Sequence, residues 1–317
     1  MAPELGDRRG STAAAARPAT DAERVHFVRY TRPERWPILD RFPVSADVLD
    51  ELLAQMVAWT ADDVRDCLRS FDSRAEEIAG ELLTESGYRA AVRALPFSAG
   101  DRIAAVGDSL TADRLGWFDL FAASMRRTGR GDVVLENLAV SGSTTADALE
   151  RYDLLEAFEP THVLVMLGTN DARRHGRRYD ARMISPAETR RNLTALLDLV
   201  VHDLRADVVL MTPPPADQQR ISAFFDGGAV RWSAPELDGV AAIVRDLAPH
   251  CIDVHAALQA HPLDALMEDD GVHLNARGQQ VLARQVVGDL VSPRPWRTRP
   301  PAGVRSDSPA PVGPHLG

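Results

Sequence analysis

Apolar residues along this chain follow two rhythms, and the change falls near Gly100. From Val25 to Leu95 they recur every three to four positions, which predicts helices. Ser45 precedes a stripe of Val48, Leu49, Leu52, Leu53, Met56 and Val57, as expected of a serine-capped helix. Thr60 with Asp63, and Ser73 with Glu76, predict two further helix starts of the reciprocal capping kind. Ile78, Leu82 and Leu83 continue the apolar spacing, and Pro96 follows the last of these helices.

Beyond Gly100, short apolar runs alternate with amphipathic segments, the signature of an α/β domain built on a parallel sheet. The runs are 103–106, 133–135, 162–167 and 208–211, with a weaker one at 251–254. Helical patterns at 117–127, 146–157, 186–204 and 237–247 lie between them. Asn275 is placed to cap a final helix carrying Val281, Leu282, Val286 and Val287. The expected organisation is a disordered stretch at 1–24, a helical region at 25–97, the α/β domain at 98–291 and a proline-rich, unstructured tail at 292–317.

Composition narrows the chemistry. A length of 317 residues provides a core large enough to shelter an active site, and the net charge of −10 argues against a nucleic-acid partner. Every basic residue besides histidine is arginine, so Schiff-base lysine chemistry and a lysine-bearing phosphate loop are excluded. The two cysteines, Cys67 and Cys251, are too few and too scattered for a disulfide framework or a zinc cage. The amino-terminal alanine run is too short for a signal segment, and no apolar stretch approaches the roughly 20 residues of a membrane span, so a cytoplasmic location is expected.

In parallel α/β sheets functional groups gather in loops at the carboxyl ends of strands. Four such loops carry candidates here: Gly107-Asp108-Ser109-Leu110, Asn137 to Gly142, Gly168-Thr169-Asn170-Asp171, and Asp270-Gly271-Val272-His273. Acyl transfer needs a nucleophile, a base, a group that orients the base, and donors for the developing oxyanion. Ser109 directly follows a strand, and Gly107 lets the turn bend tightly. His273 is the best available base. Asp270, three residues earlier, can fold back onto the imidazole, and the amino-terminal end of the last helix would favour the neutral ring. The oxyanion donors would be the Ser109 and Gly142 backbone N–H groups and the Asn170 amide. The nucleophile-elbow motif of α/β-hydrolases is absent, since residue 111 is threonine rather than glycine.

These four blocks, in this order, resemble the signature of the SGNH (GDSL-like) hydrolase superfamily across about residues 101–291. The resemblance matches the family's Ser, Gly, Asn and His to Ser109, Gly142, Asn170 and His273, and its triad Asp to Asp270. It implies a three-layer α/β/α flavodoxin-like sandwich with an open site, acting as an esterase, lipase, thioesterase or deacetylase on a small acyl ester without cofactor or metal. The same acyl-enzyme would serve an acyltransferase, and the helical amino-terminal region offers a further alternative, recruitment of a protein partner or a plain cap. Nothing in that region offers a chemical constellation of its own.

Other residues carry less specific signals. Asp108 and Asp171 are expected to hold their turns through side-chain to backbone hydrogen bonds. Trp117, Phe118 and Phe121 read as core, and the His255, His261 and Asp253 group fits no metal motif. The arginine-rich stretch that includes Arg173, Arg174, His175, Arg177 and Arg178 is a solvated loop or, more specifically, an anion clamp formed by Arg173 and Arg174 beside the site. Thr212-Pro213-Pro214-Pro215 is a stiff loop able to wall the cleft or simply to connect.

Overall fold

The structure is a computed structural model that describes residues 19–292 and Trp296. Helix α1 (Asp21–Tyr30) opens with a capping box in which Thr20 Oγ1 accepts from Glu23 N–H and the Glu23 carboxylate accepts from Thr20 N–H. Residues 21–24, expected to be disordered, are therefore its first turn, while 1–18 lie outside the described residues. Helices α2 (Pro37–Asp40), α3 (Ala46–Val57), α4 (Ala61–Thr84) and α5 (Ser86–Ala94) follow.

The Thr60–Asp63 box starts α4 as its spacing predicts, but Ser73 starts nothing and lies in the middle of the same helix. Val64, Phe71, Ala75, Ile78, Ala79 and Leu82 are all buried along one face of α4. Burying that continuous stripe outweighs a local capping preference. In α3 only Leu53, Ala54 and Val57 are buried, and Val48 and Met56 face outward.

Next come β1 (Arg102–Gly107), α6 (Ser109–Ala112), α7 (Trp117–Arg127), β2 (Val134–Asn137), α8 (Thr145–Glu150), α9 (Tyr152–Phe158) and β3 (His162–Met166). After two short strands, β4 (Arg174–His175) and β5 (Ala181–Arg182), the chain enters α10 (Pro186–Asp198), which ends in a π-helical turn over Leu199–Asp203. The last elements are β6 (Asp207–Met211), α11 (Gln218–Phe224), β7 (Val230–Arg231), α12 (Ala234–Leu247), α13 (Val254–Gln259) and α14 (Ala276–Leu290).

The main sheet is fully parallel, in the order β2-β1-β3-β6. Ala105 pairs with Leu164, which pairs in turn with Val209. These strands read as unbroken apolar runs because helices cover both faces. On one side, α4, α5, α7, α13 and α14 enclose a core around Trp117, Phe121, Leu164 and Val286. On the other, α8, α9, α10 and α12 pack against Ala104, Val163, Val165 and Leu210. The result is the three-layer α/β/α sandwich, with Trp117, Phe118 and Phe121 in its core. The weak run at 251–254 contributes only one bridge, from Ile252 to Met211. Trp296, inside the expected tail, packs edge-on against Phe97 and His162.

An arginine seam fastens the first helices to the sandwich. Arg29 Nε donates to Asp113 at 2.6 Å, Arg32 Nη2 to Asp119 at 2.8 Å, and Arg41 Nη2 to Asp153 at 2.9 Å. In return, Arg114 Nη2 donates to the Thr31 carbonyl at 3.0 Å. The Asp113 side chain is fully buried, so removing Arg29 would leave it without its countercharge, held only by Leu115 N–H and Gln279 Nε2, at a cost of about 3–5 kcal/mol. No helix among the described residues is long and apolar enough to cross a membrane.

Candidate active site

In the order β2-β1-β3-β6 the chain leaves β1 and β3 toward opposite faces, so their following loops part and leave a crevice. Ser109 sits there as the first residue of α6, with Asp108 as the cap whose Oδ1 accepts from Leu110 N–H at 3.1 Å. Gly107 serves this turn by its size rather than by a special backbone angle. A Cβ there would stand 2.5 Å from Thr111 Oγ1. Asp171, on the loop after β3, accepts from Thr145 N–H at 3.0 Å and from Thr189 Oγ1 at 2.9 Å, tying that loop to α8 and α10. Asp108 thus holds its own turn as the sequence suggests, whereas Asp171 ties its loop to two helices instead.

His273 arrives from the other end of the chain, just ahead of Asn275, the cap of α14. Its Nε2 lies 2.8 Å from Ser109 Oγ, and its Nδ1 lies 2.5 Å from Asp270 Oδ2. The other carboxylate oxygen of Asp270 accepts from the backbone N–H groups of Val272 and His273, each at 2.9 Å. Four hydrogen-bonded atoms thus fix the relay across the loop. Burial pushes the Asp270 carboxyl up, yet the hydrogen bonds and charge of His273 outweigh it and hold Asp270 at about 2. Burial pulls the His273 imidazolium down, but Asp270, backed by the charges of Asp108 and Asp113, raises it above its ordinary value. The Asp270 carboxylate therefore favours the charged form of this ring. Behind the serine, burial lifts Asp108 to about 6.

Gly142 lies opposite with φ of +85°, a left-handed conformation that favours glycine, and only the Arg173 side chain comes within 4.0 Å of where its Cβ would be. Neither Ser109 nor Gly142 donates its backbone N–H to an acceptor among the described residues. Asn170 is buried, and its Nδ2 donates to the Ser143 carbonyl at 3.1 Å, which fixes the amide and leaves its second N–H available. Ser109, Gly142, Asn170 and His273 all line one cleft of about 320 Å³.

The two arginines singled out in the sequence part company. Arg173 lines this cleft, whereas Arg174 lies in β4 with its guanidinium held by Glu236 at 2.6 Å and by Asp180 at 3.3 Å. The second half of the expected clamp is therefore a structural pair, because a carboxylate from α12 claims it. The small antiparallel sheet β5-β4-β7 that sets this arrangement was invisible in the sequence, since two-residue strands show no period. Thr212 to Pro215 are buried and form no part of the cleft wall. His255 is buried too, bonded to Asp238 at 2.9 Å and to the Pro213 carbonyl at 3.2 Å.

The largest departure from the sequence reading is α1. His26, Phe27, Tyr30 and Thr31 form one wall of the cleft. The Tyr30 ring lies 5.0 Å from the His273 ring, and its carbonyl accepts from Ser141 Oγ at 2.5 Å. Arg29 reaches the Ser109 loop at Asp113 and the His273 loop at Glu268, the latter at 3.2 Å. The cluster of His26, Phe27, Arg29 and Tyr30 was visible as residue types, but its partners lie 84 and 239 positions away.

A parallel α/β/α sandwich gathers its candidate groups in a crevice at the carboxyl ends of the strands. The description "GDSL-like Lipase/Acylhydrolase family" fits residues 105–281, more than half of the chain, and the protein belongs to that family. It is accordingly a carboxylic ester hydrolase. No curated protein is significantly similar to it. Among solved structures it is similar to LAE5, an alpha/beta hydrolase enzyme from the metagenome of Lake Arreo, Spain, with 23% identity, a TM-score of 0.50, and coverage of 61% of this chain and 96% of that one. It is also similar to a catalytic mutant of Axe2, an acetylxylan esterase from Geobacillus stearothermophilus, with 22% identity, a TM-score of 0.49, and coverage of 61% and 95%. At such identities the likeness concerns the fold.

Proposed function

We propose that the protein hydrolyses carboxylic esters through an acyl-enzyme on Ser109. The observation that carries this reading is the unbroken relay from Asp270 through His273 to Ser109, at 2.5 and 2.8 Å. With the imidazole neutral, Nδ1–H donates to Asp270 and Nε2 accepts the proton of Ser109 as its oxygen attacks the acyl carbonyl. The carbonyl oxygen takes the negative charge and is held by the Ser109 and Gly142 N–H groups and the free N–H of Asn170. Protonated His273, stabilised by Asp270, returns the proton to the leaving alcohol. Water enters the same position and gives a proton to His273 as its oxygen attacks the acyl carbon, and His273 then returns that proton to Ser109 Oγ as the acid leaves. No step needs a cofactor or a metal. The expected organisation, with a catalytic domain at 98–291, is extended in this reading by α1, which closes one side of the cleft.

The test is a pre-steady-state measurement with p-nitrophenyl acetate. Wild type is expected to show hydrolysis, with a burst of p-nitrophenol wherever deacylation limits turnover. Ser109→Ala should lower kcat on the order of 10⁶-fold. A variant that kept wild-type turnover would show that another group is the nucleophile.

A further inference from the structure

Consecutive arginines after β3 have opposite surroundings. Arg174 is neutralised by Glu236 and Asp180. Arg173 turns into the cleft, and its guanidinium forms no hydrogen bond or ion pair among the described residues. Its Nε is buried without a partner. Its central carbon stands 5.9 Å over the ring of Trp232, which is itself fixed by an Nε1–H bond to the Thr169 carbonyl at 2.9 Å. Burial lowers the pKa of Arg173, and the carboxylates whose charge opposes this, Asp147 and Asp108, are both engaged elsewhere. Asp147 closes the capping box of α8, and Asp108 holds the nucleophile turn.

A half-buried guanidinium without an anion is costly, and it is retained where a ligand supplies the partner. One further buried polar atom without a partner, Tyr30 Oη, belongs to a residue lining the same cleft. Arg173 Nη1 lies 4.0 Å from the position a Gly142 Cβ would occupy, so its charge is within a few bonds of the acyl carbonyl that the Gly142 N–H would hold.

We propose that the preferred substrates are esters carrying a carboxylate a few atoms from the scissile bond, and that Arg173 binds this carboxylate with Trp232 flanking it. The proposal rests on the reading of Ser109 as nucleophile, since that places the carbonyl beside Gly142. It concerns Arg173 alone and not the pair of arginines expected from the sequence.

Two matched pairs of esters test it, because each replaces a carboxylate by a carboxamide of the same shape. Monomethyl succinate and methyl succinamate place the charge on the acyl side, and 4-acetoxybenzoate and 4-acetoxybenzamide place it on the leaving group. Wild type is expected to favour the anionic member of at least one pair. Arg173→Ala should lower kcat/KM for that member by about 10–100-fold, mainly through KM, and change the neutral member by less than about 3-fold. Arg173→Lys should recover part of the loss, since it keeps the charge but not the planar fork. Arg174→Ala should leave the ratio within each pair unchanged. Absence of an anionic preference in both pairs, or equal losses for both members in Arg173→Ala, would overturn the proposal. Loss of hydrolysis of all four esters, with no labelling of Ser109 by a fluorophosphonate, would instead overturn the reading of the nucleophile.

Discussion

The two sides of the cleft were written into the chain in different ways. One side consists of three loops that leave the sheet and the turn ahead of α14, and each carries a residue whose type suggests a chemical role: Ser109, Gly142, Asn170 and His273. The other side is α1, where the exposed Phe27 and the buried Tyr30 contribute aromatic surface and no reactive group. The difference shows that short motifs encode reactivity, whereas the shape of the space around it is encoded by long-range packing. The arginine seam joins the two, with Arg29 bonded to the loop after Ser109 and to the loop before His273.

Substitutions that separate chemistry from shape sharpen this contrast. The largest effect is expected for Asp270→Asn, which keeps the geometry but removes the charge that fixes the imidazole tautomer, and kcat should fall by about 10⁴-fold. The same variant has a signature in pH. Catalysis needs neutral His273, so activity is lost as pH falls through its pKa, and in wild type that limb should lie above the ordinary value of 6.5. Asp270 stabilises the charged ring, so its neutralisation lets the proton leave at lower pH. Burial then dominates, and the residual activity should extend further into acid. An unmoved limb in a kcat/KM profile would mean that Asp270 does not control His273.

Next in size is Arg29→Ala. It strands Asp113, and urea unfolding should show a loss of about 3–5 kcal/mol, while fluorophosphonate still labels the folded fraction. If stability were unchanged, α1 would not be fastened to the sandwich as described. Asn170→Ala removes one oxyanion donor and should lower kcat by about 10²–10³-fold with little change in KM. The smallest effect is expected for Phe27→Ala on the α1 wall, a change in KM below about 10-fold with kcat preserved. A kcat defect there as deep as that of Asn170→Ala would erase the distinction between the two sides.

Much of the architecture was legible because it follows from burial. Strands covered on both faces must be apolar throughout, so β1, β3 and β6 stood out as runs. Helix α7 appears at Trp117–Arg127, the segment its pattern marks, and Asn275 caps α14 through Gly278 N–H at 3.0 Å. Elsewhere local signals were overruled or too short. The capping pair at Ser73 lost to the continuous stripe of α4, and Arg151 divides the helix expected at 146–157 into α8 and α9. The four candidate loops could be picked out by residue type and order, and the structure brings Ser109, Gly142, Asn170 and His273 to one cleft. That α1 would complete their cleft, and that Glu236 would claim Arg174 while leaving Arg173 to the cleft, depended on pairings across the fold that one sequence does not display.

The central claim is that the hydroxyl at position 109 is made reactive by the imidazole at 273. Labelling with a fluorophosphonate followed by peptide mass mapping tests it most directly. The adduct is expected on Ser109 alone, absent in Ser109→Ala and strongly slowed in His273→Ala. An adduct on any other residue, or undiminished labelling after either substitution, would contradict it.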